Sequence, residues 1–103
     1  LEPEQIKLIA KIILSKVKDK ISKFGVELDI SEIALEWIIK NGYDRSYGAR
    51  PLKRVIQRNI EDQLSKQIIS GEISEGNLVE IDVGKNGELS FESNPVREII
   101  KSN

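Results

Sequence analysis

The sequence predicts an α+β fold, in which three main helices pack against a small β-sheet that includes a C-terminal hairpin. Three stretches carry apolar residues three and four positions apart, the spacing of one helical face. Apolar and acidic residues alternate at 26–30 and at 78–83, which is typical of half-buried strands. Because the helical patterns are grouped and do not alternate regularly with the strands, we expect the helices to segregate against the sheet.

The first helix is predicted over residues 3–23. Its apolar stripe consists of Ile6, Ile9, Ala10, Ile13, Leu14, Val17 and Ile21. Leu8 and Ile12 fall outside this stripe, so the helix is expected to contact a second surface besides its own core.

A short strand and a second helix are predicted next. Val26, Leu28 and Ile30 alternate with acidic residues, and Ser31 is a suitable N-cap for the helix that follows. That helix is expected to run to about Lys40 and to end at a glycine. Its predicted core residues are Ile33, Ala34, Trp37 and Ile38, and its predicted stop is Gly42.

The third helix is predicted from about Ala49 to Ser70, with Gly71 ending it. A hairpin follows, with a turn at 84–87 and a second strand that contains Leu89 and Phe91. The third helix has a predicted core stripe of Leu52, Val55, Ile56, Ile60, Leu64 and Ile68. We predict one domain at 1–92 and a tail at 93–103 that forms one helical turn at most.

The composition of the chain excludes several classes of function. The chain has 103 residues with a formal net charge of −1, so no global field attracts nucleic acid or an anionic membrane. The absence of cysteine and histidine excludes disulfides, thiolate metal sites and the commonest general base. Glu80 and Asp82 are interpreted as the solvated face of a strand and not as a pair of catalytic carboxylates.

The segment 41–54 carries most of the functional information, because it ends one helix and loads the start of the next with positive charge. No acidic residue falls between positions 45 and 58, although acidic residues are favoured at a helix start. Pro51 marks the first turn. The basic residues of the segment and the turns after it are Arg45, Arg50, Lys53, Arg54 and Arg58.

Three interpretations of this cluster are open from the residues alone. It is a solvated surface patch, or a nucleic-acid surface on which Tyr43 and Tyr47 stack, or a phosphate-facing arginine that completes a nucleotide site on another domain. Core packing is the favoured role of Tyr43, and less strongly of Tyr47.

The run Gly-Tyr-Asp-Arg-Ser-Tyr-Gly-Ala-Arg-Pro-Leu-Lys-Arg at 42–54 resembles the sensor-2 segment of the Clp AAA+ unfoldases. The resemblance extends over about 4–91 and is to the small C-terminal subdomain of the second ATPase module. It is nearest to the ClpB-type disaggregases, and the ClpC and ClpA types that feed a protease remain alternatives.

The resemblance implies that Arg50 reaches the γ-phosphate of ATP, bound with magnesium on the large subdomain of the same subunit. It implies that Gly48 and Ala49 let the backbone approach the nucleotide, with Lys53 and Arg54 as a supporting basic cluster. Ile9 and Ile13 would lie on the adenine side. Lys53 departs from the pattern slightly, since arginine is also common there.

The implied partners are the large AAA+ subdomain, neighbouring subunits of a homohexamer, and unfolded or aggregated polypeptide. No nucleic acid, membrane or metal ligand of its own is expected. The sequence has no Gly-x-x-x-x-Gly-Lys-Ser/Thr motif, so this fragment is expected to be no enzyme by itself, although its parent would be an ATPase. A cytoplasmic or organellar location is expected.

Overall fold

The computed structural model describes residues 2–96 and confirms the α+β prediction. Within residues 2–96, three helical regions and three strands follow one another. The third helical region is continuous from 52 to 70 but is divided by a π-helical segment. The elements are α1 (Pro3–Ser22), β1 (Glu27–Ile30), α2 (Glu32–Gly42), α3 (Leu52–Ile56), the π segment (Gln57–Glu61), α4 (Asp62–Ser70), β2 (Asn77–Val83) and β3 (Leu89–Pro95).

The sheet is mixed, with strand order β1-β2-β3. β1 pairs with β2 in parallel, from Glu27 opposite Leu78 to Ile30 opposite Ile81. β2 and β3 form the predicted antiparallel hairpin. Since a parallel pair needs a long crossover, α2, α3 and α4 all lie in the connection between β1 and β2.

The core forms where the inward faces of the helices and the sheet meet. The predicted α1 stripe is buried at Ile6, Ala10, Leu14, Val17 and Ile21. Leu8 and Ile12 are 59% and 50% exposed, which places them outside that stripe as predicted. No polar or charged side chain of residues 2–96 is buried, so apolar packing supplies the stability of this core.

The spacing of the core residues in the third helical region explains the π segment. Leu52, Ile56, Ile60 and Leu64 lie four positions apart, and each is fully buried. In an α-helix of about 3.6 residues per turn, each step of four residues turns the side chain by roughly 40° beyond a full circle. A π turn bonds residues five apart and holds more residues per turn, so it rotates the helix back. The interruption therefore keeps all four side chains on one face.

The prediction for α2 was partly wrong. Ile33 is 60% exposed, and Leu35 occupies the core instead. Trp37 is half-buried against the core, and its indole N–H donates a 2.9 Å hydrogen bond to the carbonyl of Gly87 in the hairpin turn. The tryptophan thus joins α2 to the turn between β2 and β3.

Ser31 caps α2 as predicted and also ties it to the sheet. Its hydroxyl oxygen accepts a 3.0 Å hydrogen bond from the Ala34 N–H and donates one of 2.9 Å to Asp82. The Asp82 carboxylate also accepts from the Val83 N–H, and these two bonds hold the pKa of Asp82 below its usual value. Glu80 and Asp82 are both exposed, in agreement with a solvated strand face.

β3 extends to Pro95, beyond the predicted strand, and the Val96 N–H donates to the Gly76 carbonyl. Positions 93–95 therefore continue the hairpin, although the sequence placed them in a tail. The predicted helical turn falls largely on 97–103, outside the described residues.

Candidate functional site: the loop before the third helix

The loop between α2 and α3 is held by its own backbone and by Asp44. Asp44 and Gly48 exchange two backbone hydrogen bonds and form an isolated antiparallel bridge. The Asp44 side chain accepts hydrogen bonds from the backbone N–H groups of Ser46 and Tyr47, at 2.7 and 3.1 Å. Such a side-chain turn favours a loop over a helix, so α3 begins at Leu52 and not near Ala49 as the sequence predicted.

Gly48 has a structural reason to be glycine, since its φ of +62° lies in the left-handed region. The family resemblance implies that Gly48 lets the backbone approach the nucleotide closely, and this role is compatible with the same left-handed conformation. Ala49 next to it is half-buried against the core, and its carbonyl accepts a 3.0 Å bond from the Leu52 N–H.

Leu52 anchors the far end of the loop. It is fully buried and packs against the last residue of α2, Gly42. A Cβ at Gly42 would lie 2.5 Å from Leu52 Cδ1 and 2.9 Å from its Cα. The helix α2 ends at Gly42 as predicted, although φ is not positive there, so the glycine is not a left-handed cap. The glycine is needed for this close approach of two backbones.

Arg50 is exposed at the outer side of this loop. Its guanidinium carbon lies 5.9 Å from the ring centroid of Tyr47, within the range of a cation–π contact. Tyr47, Arg50, Pro51 and Arg54 line a shallow depression of about 250 Å³. The ion pairs among residues 2–96 are Lys7–Glu32 and Lys20–Glu61, so no acidic side chain of that part of the chain pairs with either arginine.

The other predicted site residues do not all meet at this depression. Lys53 and Ile13 line a separate groove between α1 and α3. Ile9 is half-buried and packs against the core. The structure therefore brings Arg50 and Arg54 together, and Lys53 and Ile13 together, in two different places.

The two tyrosines also lie apart. Tyr43 is 40% exposed and lines an apolar depression with Pro3, Ile6 and Ile39, whereas Tyr47 is 63% exposed beside Arg50. They form no shared stacking platform, which removes the main support for a nucleic-acid surface.

Asp44 is the residue that sequence reasoning missed. Aspartate is common in turns because its carboxylate can accept a hydrogen bond from the backbone N–H two residues on, as Asp44 does from Ser46.

Over residues 2–96, the acidic side chains form no group of three that could hold a metal ion. In the same part of the chain, none of the helices has the length and apolar character to cross a membrane.

The fold and this loop define a small helical and β-sheet domain that presents an arginine pair beside an aromatic ring. The chain belongs to the family described as the C-terminal, D2-small domain of ClpB protein, whose sequence model matches residues 1–81. The recognition of a Clp-type AAA+ chaperone subdomain from the sequence is therefore confirmed.

The chain is similar to several chaperones. It is 41% identical to Chaperone protein ClpB of Corynebacterium efficiens, over 85% of this chain and 10% of that protein. It is also 41% identical to Chaperone protein ClpB of Meiothermus ruber, over 89% of this chain and 11% of the relative. The chloroplastic Chaperone protein ClpD1 of Oryza sativa subsp. japonica is 39% identical, over 86% of this chain and 10% of that protein. The chain thus spans about a tenth of the length of these relatives.

Proposed function

We propose that this chain is the C-terminal lid of a ClpB-type AAA+ chaperone, and that Arg50 is its sensor for nucleotide held on the large ATPase subdomain. One observation carries the proposal. The Arg50 guanidinium is exposed, has no acidic partner among residues 2–96, and stands on a loop fixed at both ends. An arginine left unpaired on a rigid loop is suited to an anion supplied from outside the domain.

The depression beside Arg50 fits the phosphate end of ATP. Arg50 and Arg54 supply two guanidinium groups that stay charged at any working pH, and the side facing them is open. When bound, ATP with its magnesium supplies the transferable phosphoryl group. Arg50 would hold the γ-phosphate oxygens and stabilise the charge that develops on them.

The adenine side has weaker support. Ile9 packs against the core, and Ile13 faces the groove that also contains Lys53. Neither Ile9 nor Ile13 lines the Arg50 depression, so the lining of that depression gives the adenine contacts no support. We therefore base the nucleotide site on Arg50, with Gly48 and Ala49 setting the loop and Arg54 supporting it.

The rigidity of the loop suggests how binding is transmitted. A contact to Arg50 would pass to Leu52, two residues away, and from there to the core and α2. The lid would then move as one body when the nucleotide changes. In a homohexamer, that movement would shift the neighbouring subunit and drive the handling of unfolded or aggregated polypeptide.

The test uses the longer protein in which this domain is covalently joined to its ATPase module. Arg50→Ala should lower ATP turnover by on the order of 10²–10³, the usual cost of losing a charge-stabilising donor. Arg50→Lys should recover only part of it, because lysine lacks the planar fork. Arg58→Ala is the matched control, since Arg58 is also an exposed arginine but lies in the π segment and lines a different depression.

Unchanged turnover and unchanged nucleotide affinity in Arg50→Ala would refute the sensor role. If Arg58→Ala lost as much activity as Arg50→Ala, general positive charge and not Arg50 would be responsible. Thermal unfolding of both variants in the 103-residue chain should be near that of the parent, because both side chains are exposed.

A lid from an unfoldase that feeds a protease is the second candidate, since the chain is also similar to a Clp chaperone that is not named ClpB, the ClpD1 of Oryza sativa subsp. japonica. The two candidates share the Arg50 chemistry and differ in the outcome for the substrate. Recovery of refolded protein from aggregates supports the ClpB type, whereas degradation that depends on an added protease supports the other.

A further inference from the structure

The sequence contains the tripeptide Lys-Asn-Gly twice, at 40–42 and at 85–87. In an Asn-Gly pair the backbone nitrogen of the glycine can attack the side-chain amide carbon of the asparagine, because glycine has no side chain that hinders the approach. The attack requires the backbone and the asparagine side chain to rotate toward each other. Since the two tripeptides are identical, the fold around each one decides whether it reacts.

The pair at Asn86 lies in the turn of the hairpin between β2 and β3, and both of its residues are exposed. The Gly87 N–H donates a 3.0 Å hydrogen bond to the Gly84 carbonyl. The Asn86 Oδ1 accepts one of 3.0 Å from the Glu88 N–H. Both bonds lie within the exposed turn, so local opening of this turn is enough to free the asparagine side chain and the glycine nitrogen.

The pair at Asn41 lies at the end of α2 and is more strongly restrained. The Asn41 side-chain nitrogen donates a 2.7 Å hydrogen bond to the Trp37 carbonyl. Gly42 is buried, and a Cβ on it would lie 2.9 Å from the Leu52 Cα, so the backbone has little room to rotate. Attack at Asn41 therefore requires the end of α2 to unfold and to separate from Leu52, a fully buried core residue.

We propose that Asn86 is a site of spontaneous deamidation in this domain and that the fold protects Asn41. In the first step the Gly87 nitrogen bonds to the Asn86 Cγ. The side-chain nitrogen takes up the proton of the glycine nitrogen and leaves as ammonia, which closes a succinimide ring. In the second step water adds to one of the two ring carbonyls and opens the ring. The products are aspartate and isoaspartate, and water is the only reactant consumed.

The modification alters a contact that joins the hairpin turn to α2. The Gly87 carbonyl accepts the hydrogen bond from the Trp37 indole. Isoaspartate adds one methylene to the backbone directly before Gly87, which displaces that carbonyl from the indole. Trp37 is the only tryptophan of the chain, so its fluorescence reports this change. The inference does not depend on the role proposed for Arg50.

The test incubates the 103-residue chain in mildly alkaline buffer at physiological temperature and analyses peptic peptides, made at low pH, by mass spectrometry. In the folded chain, Asn86 should convert at least about tenfold faster than Asn41, because only Asn41 requires part of the core to open. The matched control is the same chain unfolded in guanidinium chloride, where the two asparagines should convert within about twofold of each other. Methyl transfer from S-adenosylmethionine by an isoaspartyl methyltransferase identifies the isoaspartate.

Equal conversion of the two asparagines in the folded chain, or faster conversion of Asn41, would overturn the proposal. A folded chain in which neither asparagine reacts, although both react after unfolding, would also overturn it. Asn86→Gln should stop conversion at this position, because glutamine would have to close a larger ring, and circular dichroism checks that this variant is folded. If the tryptophan fluorescence of Asn86→Gln changed on incubation as much as that of the parent, the proposed effect on Trp37 would be wrong.

Discussion

Substituting Gly42 by alanine tests whether the close approach of α2 to Leu52 is what positions the loop before the third helix. The added Cβ would lie 2.5 Å from Leu52 Cδ1 and 2.9 Å from Leu52 Cα. A rotamer change can relieve the first contact. The second involves the backbone, so α2 or the start of α3 must move.

Two opposing effects set the magnitude. Alanine is favoured over glycine in a helix by about 1 kcal/mol, which would stabilise the variant. Overpacking a dense core costs typically about 1–3 kcal/mol, and the fixed Cα at Leu52 places this site toward the upper end. We expect a net loss of about 1–2 kcal/mol, which lowers Tm by roughly 4–8 °C per kcal/mol in a chain of this size.

The assay is urea and thermal unfolding of Gly42→Ala, Leu52→Ala and the double variant. Leu52→Ala alone should cost about 2–5 kcal/mol through the cavity it leaves. The double variant should lose less stability than the sum of the two single-variant losses, because removal of Leu52 Cδ1 relieves one of the two close contacts. If Gly42→Ala were as stable as the parent or more so, helix propensity would outweigh the clash, and the close-approach argument would be wrong.

Four further predictions concern the contacts that hold the helices and the sheet together. Ile60→Ala should lower the unfolding free energy by about 2–5 kcal/mol, because Ile60 is fully buried within the π segment. Urea denaturation measures this loss, and a value under about 1 kcal/mol would contradict tight packing around Ile60. Trp37→Phe should cost roughly 1 kcal/mol by removing the hydrogen bond to Gly87, and an unchanged Tm would show that this bond adds nothing. Asp82→Asn should weaken the acid dependence of stability. The folded-state pKa of Asp82 is lowered, so its stabilisation is present above the ordinary carboxyl pKa and is lost as pH falls through the lowered value. A pH series of unfolding curves that is identical for parent and variant would exclude this linkage. Ser31→Ala should also reduce the acid dependence of stability, because it removes a hydrogen bond to Asp82. The same variant should lower the unfolding free energy by about 0.5–2 kcal/mol, because it removes the N-cap of α2.

Local patterns were enough to predict most of the secondary structure. The α1 stripe and the Ser31 cap depend on residues a few positions apart, and both are confirmed. The π segment was missed although its signal was present. Four apolar residues recur at a constant spacing of four, which is longer than the α-helical period of about 3.6 residues. The need for a π segment becomes evident only because all four side chains are buried on one face.

Other features depend on contacts between distant residues. The exposure of Ile33 cannot be read from its apolar side chain, because it depends on which face of α2 meets the rest of the core, and Leu35 lies on that face instead. The parallel pairing of β1 with β2 likewise has no local signal. At the candidate site, the motif identified Arg50, but the loop held by Asp44 determines where Arg50 lies.

The parallel pairing of β1 with β2 also constrains when the domain can form during its synthesis. The partner of Glu27 is Leu78, so the first strand waits for about half of the chain to be made before it can join a sheet. Until then, the helices would emerge from the ribosome with their apolar faces uncovered, because Val79 and Ile81 complete the core from the far side. A nascent chain stalled before position 77 should therefore remain sensitive to protease, whereas one released after position 95 should become resistant in a single step.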